Sequence, residues 1–403
     1  MNKKTVLFLA VTLLLALSAW GAGKGEDAAA SELLKKTLIV ASVDGITTWD
    51  PSASYSTEIA YFTNFYEGLI KATPPGSSAP FEPALAVSWK ASADGLVWTF
   101  LLRQGVTFHD GTPFTAEAVK YSYERTKSLG LGAAFILDPI KEITVVDPYT
   151  VKFTLSYAAP LDRIAASAYG AWIFSPATKD RPRDWFEEGH EAGTGPYILE
   201  SWQPDQELIL KRNDSYWGGW NGPSVERIVI RIVKDAVTMQ NMVESGQADI
   251  VTLVPREALN PVDARPDCKV LKGPSFMSYA IHLNTRKPPL DNLLVRQAIS
   301  YAIPYQDIIA VSVGTELGIQ ARGPIPFGEF GFAPGLQTYT YDPAKAKELM
   351  KRAGFPNGID RTLVFTYAAE NAAHAAYAPL IKENLEKIGI PVEVRAIMWN
   401  SQW

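Results

Sequence analysis

Several short stretches of this chain carry residue types that can do chemistry, and each stops short of a complete site. Gly193-Thr194-Gly195 opens like a dinucleotide loop, whose glycines let backbone amides approach a pyrophosphate, but Ile198 stands at the third glycine position. Glu188-Gly189-His190-Glu191 resembles one turn of a zinc-protease helix, yet Thr194 stands where the second histidine ligand is needed. Gly273-Pro274-Ser275 could open a nucleophile elbow, but Met277 replaces its closing glycine. His109 beside Asp110 could form a dyad; followed by Gly111, the aspartate reads instead as a turn residue beside a structural histidine. His109, His190, His282 and His374 have no metal-ligand spacing, and the single Cys268 completes neither a cluster nor a disulfide. The residues therefore predict binding rather than catalysis, with no cofactor and no metal. A secreted hydrolase acting through Ser275 or His190 is the alternative from another class.

Composition bounds the scaffold. A chain of 403 residues exceeds one ordinary core and predicts two or more lobes. With 47% hydrophobic and 20% charged residues it has the make-up of a soluble globular protein. A formal charge of −5 and the absence of any Lys/Arg run exclude nucleic acid and an anionic membrane surface as partners.

The pattern alternates between strand and helix, which predicts an α/β fold. Leu96, Trp98, Phe100 and Leu102 alternate as in a half-buried strand, between turns at Asp94-Gly95 and Asp110-Gly111. Thr115 is placed to cap a helix beginning at Ala116. Leu38-Ile39-Val40 opens a first strand, and Glu58 to Leu69 reads as a helix ending near Gly68. Ile228, Ile230 and Ile232 alternate with Arg227, Val229 and Arg231. Asp235 then caps a helix with Met239, Met242 and Val243 inward, Gly246 ends it, and Asp249-Ile250-Val251 begins the next strand, a βαβ unit. Further on, Asp291 is expected to cap a helix burying Val295, Ala298, Ile299 and Ala302. Asp342-Pro343 starts another helix, stopped at Gly354. A third buries Tyr377, Leu380, Ile381, Leu385 and Ile388, with a strand from Val392 after Gly389.

The order of these residues resembles the family 5 extracellular solute-binding proteins, the peptide- and nickel-binding receptors of ABC importers. The likeness rests on Ser88–Arg125 and on TTWDP (Thr47–Pro51), YEGL (Tyr66–Leu69), GTGPY (Gly193–Tyr197), RNDSYWGG (Arg212–Gly219), HLNTRKPPLDNLLVRQAISYAI (His282–Ile303) and YDPAKAKELMKRAGFPNG (Tyr341–Gly358). It implies an α/β, two-lobed periplasmic-binding-protein-like fold of type II. Lobe I would span 37–272 with an inserted subdomain of about 71–200, and lobe II 273–403, with Phe276–Asn284 crossing the hinge. The implied function is capture of a peptide by a monomer that closes on it and delivers it to an ABC permease and its ATPase subunits. The resemblance places Trp49, Trp172 and Trp399 toward the cleft, and makes Ser54, Tyr55 and Trp172 on the first lobe, with Phe276 and Trp399 on the second, the candidate ligand contacts. Trp89, Trp98, Trp202 and Trp217 read as packing residues. Dipeptide binders carry a basic residue for the ligand's carboxylate in the loop that here reads TYAAENAAHAAY (Thr366–Tyr377), without Lys or Arg. That departure favours longer peptides or, as the alternative ligand class, an oligosaccharide; the sparse histidines disfavour nickel.

The termini carry further expectations. Lys3 and Lys4 precede an apolar run of 12 residues, Val6 to Leu17, too short for the ~20 that span a bilayer. With small residues following, 1–22 reads as a signal peptide and 23–36 as a tether, predicting a periplasmic or extracellular protein. Losing Lys3 and Lys4 takes the charge of −5 to −7. Leu17-Ser18-Ala19 begins like a lipoprotein box, but Trp20 stands where the lipid-accepting cysteine belongs, so tethering is expected only in relatives with Cys at residue 20. After the strand at Val392, Asn400 or Ser401 could cap a helix that never comes, so the second lobe is expected to be incomplete.

Overall fold

The computed structural model describes residues 36–398, apart from 75–76, 183, 221–223, 274 and 370. The signal, the tether, Trp20 and Trp399 lie outside the described residues. The chain divides into two compact units, one ending at Leu271 and one running from Lys272.

The strands of the first unit are β1 (Thr37–Ser42), β2 (Ile70–Ala72), β3 (Phe81–Pro83), β4 (Ala86–Ala91), β5 (Val97–Leu102), β6 (Ile140–Asp147) and β7 (Thr150–Leu155). They continue with β8 (Tyr197–Gln203), β9 (Glu207–Arg212), β10 (Arg227–Ile232) and β11 (Ile250–Val251). Two larger sheets result, in the orders β11-β1-β10-β9-β8 and β4-β5-β7-β6.

In the first sheet β1 runs parallel to both β10 and β11, so the chain from β10 to β11 crosses over β1. The crossover is helix α2 (Ala236–Glu244), which follows α1 (Ala116–Leu129) of the other sheet. Asp235 caps α2 by accepting a hydrogen bond from the Thr238 amide at 2.7 Å. Its Met239 and Met242 pack with Ala41 and Ala248 on one face of the sheet. On another, Leu208, Leu210, Ile228 and Ile230 meet Phe62, Phe65, Tyr66 and Phe174. The alternation of β10 is thus a strand buried through its isoleucines.

In the second sheet Phe100 and Leu102 of β5 are buried with Phe153 of β7 under α1, which contributes Val119 and Tyr123. Trp98 is only half-buried, its indole N–H donating to the Gly95 carbonyl at 3.2 Å. Trp89, Trp202 and Trp217 are half-buried likewise. Thr115 holds the N-cap position of α1 in extended backbone, yet its hydroxyl makes no capping bond. The expected helix over 58–69 is a single turn, Ile59–Phe62. Glu58 spends its carboxylate on the preceding loop, and at Gly68 a Cβ would lie 2.9 Å from the Ala165 carbonyl, which commits the chain to an extended path.

In the second unit α3 (Leu293–Ala302), α4 (Tyr305–Ser312), α5 (Pro343–Arg352) and α6 (Ala372–Glu386) pack on the parallel pair β12 (Leu363–Ala368) and β13 (Val392–Ile397). Asn292, not Asp291, caps α3, accepting from the Leu294 amide at 2.9 Å. Asp342 caps α5, Gly354 follows that helix in the left-handed region, and Ala298, Ile299, Leu349, Met350, Ile381 and Leu385 form the core.

Candidate ligand-binding site

The loop after β1 is organised by two buried carboxylates. Glu58 accepts hydrogen bonds from the Thr47 hydroxyl at 2.8 Å and from the amides of Tyr55 and Ser56 at 2.9 and 3.1 Å. Asp50 pairs with both terminal nitrogens of Arg125 at 2.7 Å and accepts from the Ser52 amide at 2.9 Å. Arg125 comes from α1, so this fork ties the loop to the second sheet with the geometry that a guanidinium and a carboxylate share. Gly132 sits at φ +53 with any Cβ only 2.5 Å from the Ala53 carbonyl, so glycine alone lets the segment after α1 lie against the loop.

This scaffold sets out the first-lobe candidates unequally. Tyr55 is 58% exposed, its ring edge-on to Phe135 and Tyr169 at 5.9 and 5.8 Å. Tyr169 donates to the Ser56 carbonyl at 3.0 Å, and Phe135 is itself 58% exposed. Three rings held this way form an aromatic platform facing water, of a kind that apolar or ring-bearing ligand groups cover. Ser54 lies fully buried behind it, its hydroxyl without a partner among the described residues. Trp172, only 5% exposed, packs on Tyr66, and Trp49 is buried in the same cluster. Both indoles are core rings, not a pocket floor. Sequence reasoning missed Phe135 and Tyr169, which are distant from Tyr55 in the chain.

In the second unit Phe276 is 36% exposed, and Tyr279, 50% exposed, meets the His374 imidazole edge-on at 5.4 Å. Tyr377 lies 5.5 Å from the same imidazole. His374 Nδ1 is buried without a partner among the described residues, and burial holds its pKa below the usual value, so the ring stays neutral at pH 7. Its amide donates to Asn371, which caps α6, and the positive end of that helix favours a nearby anion. The loop without Lys or Arg thus holds one orphaned imidazole at its helical end, which a search for metal spacing could not reveal.

The signature motifs form a junction instead. Glu67 of YEGL accepts from Thr194 of GTGPY at 2.7 Å and from Tyr216 and Trp217 of RNDSYWGG at 3.0 and 2.7 Å. His109 is no dyad partner of Asp110. Its Nδ1 donates to Glu191 at 2.7 Å and its Nε2 to the Gly195 carbonyl at 2.9 Å, while Asp110 accepts from the Ser175 hydroxyl at 2.6 Å. A Cβ on Gly193 would fall 1.8 Å from the Phe65 carbonyl, which only a backbone shift could relieve. Gly193→Ala is therefore expected to destabilise the protein by ~3 kcal/mol or more, through overpacking against rigid backbone, read as a lowered urea midpoint. Of the hydrolase candidates, Ser275 accepts from the Met277 amide at 3.0 Å, and His190 stacks on Trp185 at 4.5 Å and lies 3.6 Å from the Glu188 carboxylate. Among the described residues no three His, Cys, Asp or Glu side chains converge to hold a metal.

Residues 80–403 match the model of the family described as bacterial extracellular solute-binding proteins, family 5 middle. The chain belongs to that family. It is 32% identical over 373 residues to a probable D,D-dipeptide-binding periplasmic protein of Escherichia coli K12, covering 90% of this chain and 70% of that protein. It is 32% identical over 375 residues to the glutathione-binding protein GsiB of Salmonella paratyphi A, covering 92% of this chain and 71% of that one. Among solved structures, the periplasmic binding protein DppA of Helicobacter pylori, in complex with the peptide STSA, superposes with a TM-score of 0.77 at 29% identity. That superposition covers 91% of this chain and 74% of the other. The fold is the mixed α/β one of the type II periplasmic binding proteins, and the family's members are binding proteins rather than enzymes.

Proposed function

We propose that this protein captures a peptide and delivers it to the membrane permease of an ABC importer. The observation that carries the reading is the water-facing platform of Tyr55, Phe135 and Tyr169, rigidly seated on the Glu58 and Asp50 loop. Three relatives whose own names or contents are peptides give it its ligand class. Lobe I is taken as 37–272 and lobe II as 273–403, and in a binding protein of two lobes a ligand favours the closed state only by its preference for that state. Tyr55 would cover a peptide side chain. Ser54 and Phe276 remain proposed contacts, and His374 at the head of α6 would receive the peptide's carboxylate in place of a lysine or arginine. Trp399 remains a proposed contact. The protein works as an exported monomer with the permease and its ATPase subunits, its residues 1–22 serving as the signal; among the described residues no helix is long and apolar enough to cross a membrane.

The test is calorimetry with glutathione, tri- and tetrapeptides, cello-oligosaccharides and Ni²⁺. A peptide at a hundred times its dissociation constant should add about 2.7 kcal/mol of stability. Tyr55→Ala should weaken peptide binding ~10-fold, the equivalent of ~1.4 kcal/mol, within the range of one aromatic contact. His374→Ala should weaken free-acid peptides ~10-fold and leave C-terminally amidated ones unchanged. Saturable binding of an oligosaccharide and of no peptide would reverse the ligand class.

A further inference from the structure

We propose that β6 is a latent docking edge for a second copy of this chain, held closed by Lys120 and Lys127 of α1. β6 runs for eight residues, Ile140–Asp147, longer than any other strand among the described residues, and it ends its sheet beyond β7. Its sequence, IKEITVVD, is rich in strand-forming residues and holds no proline, and Val146 is 57% exposed. An edge of this kind is a template for another strand unless something blunts it. The Pro139 carbonyl accepts from the Ser156 amide at 2.8 Å, on the β7 side, so the next carbonyl, that of Ile140, points away from β7. In a regular strand the Ile143 carbonyl, three residues on, would point back toward β7. The bulge between Ile140 and Glu142 returns it to the outer side.

The two lysines take these two carbonyls. Lys127 donates to the Ile140 carbonyl, and Lys120 to the Ile143 carbonyl at 2.9 Å. The match is one of pitch. Seven residues of helix rise about 10.5 Å, and three residues of strand about 10 Å, so lysines two turns apart on α1 meet both outer carbonyls at once. Lys120 also pairs with Glu124 at 2.8 Å, one turn along the same helix, which steadies its side chain. A strand adding to β6 must place its own amides where the ammonium groups sit, and so must break two charge-assisted hydrogen bonds. The partner that fits the edge is another β6. Lys141 and Asp147 are both exposed, near opposite ends of the strand. Two antiparallel copies about a two-fold axis bring each lysine toward the other copy's aspartate, whereas parallel copies in register would set like charges side by side.

The experiment is sedimentation equilibrium of the full chain in three forms: the native sequence, the pair Lys120→Ala with Lys127→Ala, and that pair with Val146→Lys added. The native chain should keep the mass of one chain up to ~200 µM, whereas the alanine pair should rise toward twice that mass with a dissociation constant on the order of 100 µM, weak as one short strand pair must be. Val146→Lys sets a charge on the exposed edge of both copies and should return the mass to that of one chain. Lys120→Arg with Lys127→Arg keeps a cationic donor at both places and should stay single. Should the alanine pair fail to fold, Lys120→Met with Lys127→Met keeps the apolar stems, removes only the ammonium groups and is read in the same way. A single-chain mass for the unguarded variant would overturn the proposal. So would association that Val146→Lys leaves unchanged, since the contact would then lie elsewhere, or a native chain already paired at the lowest concentrations, since the lysines would then guard nothing.

Discussion

Glu67→Ala is expected to destabilise the first unit by ~3–5 kcal/mol, the sum of three orphaned donors discounted for those that can reach water. The Thr194 hydroxyl, the Tyr216 hydroxyl and the Trp217 indole all donate to this one carboxylate. Thr194 is fully buried and has no route to solvent, whereas Tyr216 and Trp217 are half-buried and can recover part of their loss. Burial raises the Glu67 pKa despite the three donors, so the fold holds a carboxylate under tension with its surroundings. A raised carboxyl pKa stabilises the folded state fully below the unfolded value of about 4.5, and that contribution is lost as pH rises through the folded pKa. The loss on Glu67→Ala should therefore be smaller at pH 7 than at pH 4.5, measured by urea unfolding with an unchanged m value. A shift below ~1 kcal/mol at both pH values would show that the donors find other partners, and that the junction of the three motifs rests on packing alone.

How much of this was legible in the sequence follows the range of each interaction. The caps at Asp235 and Asp342, the glycines at Gly246 and Gly354, and the alternation of β10 are decided within a few residues, so sequence spacing locates them. At the start of α3 the choice between Asp291 and Asn292 is a matter of one residue's backbone, which spacing cannot resolve. The stretch 58–69 misleads because its apolar spacing is helical, while Glu58 and Glu67 are claimed by partners elsewhere. Glu67 bonds residues 127 to 150 positions away, and no local pattern encodes that. The candidate site divides the same way. Tyr55 was legible as a loop aromatic, but its platform is completed by Phe135 and Tyr169 from other segments, and Trp172 is withdrawn into the core by a cluster assembled from many elements.

The His109–Glu191 pair should give this protein a stability that falls on the alkaline side. Both imidazole nitrogens face acceptors, the Glu191 carboxylate at 2.7 Å and the Gly195 carbonyl at 2.9 Å, and only the doubly protonated ring donates to both. Burial opposes that charge, yet the hydrogen bond and charge of Glu191 outweigh it, and the pKa of His109 is raised above the usual 6.5. The folded state thus holds a proton that the unfolded chain releases near pH 6.5, so the added stability is complete below that pH and disappears as pH rises through the folded pKa. Two shifted carboxyls also interact with His109: Glu67, raised by burial, and Asp110, held below its usual value with the Ser175 hydroxyl and Thr112 amide among its donors. Glu191→Gln keeps an acceptor at the same place but removes the charge, and should flatten the decline above pH 6.5. His109→Ala leaves Glu191 buried without its partner, and should cost ~3–5 kcal/mol at pH 6. The measurement is the unfolding midpoint of the native chain and both variants from pH 5 to 9, with the His109 ring proton followed by NMR. Parallel profiles for the native chain and Glu191→Gln would mean that the imidazole is neutral in the fold. The cross-link between the 107–113 turn and the GTGPY segment would then owe nothing to charge, although the backbone bond from the His109 amide to the Gly193 carbonyl at 2.9 Å would still join them.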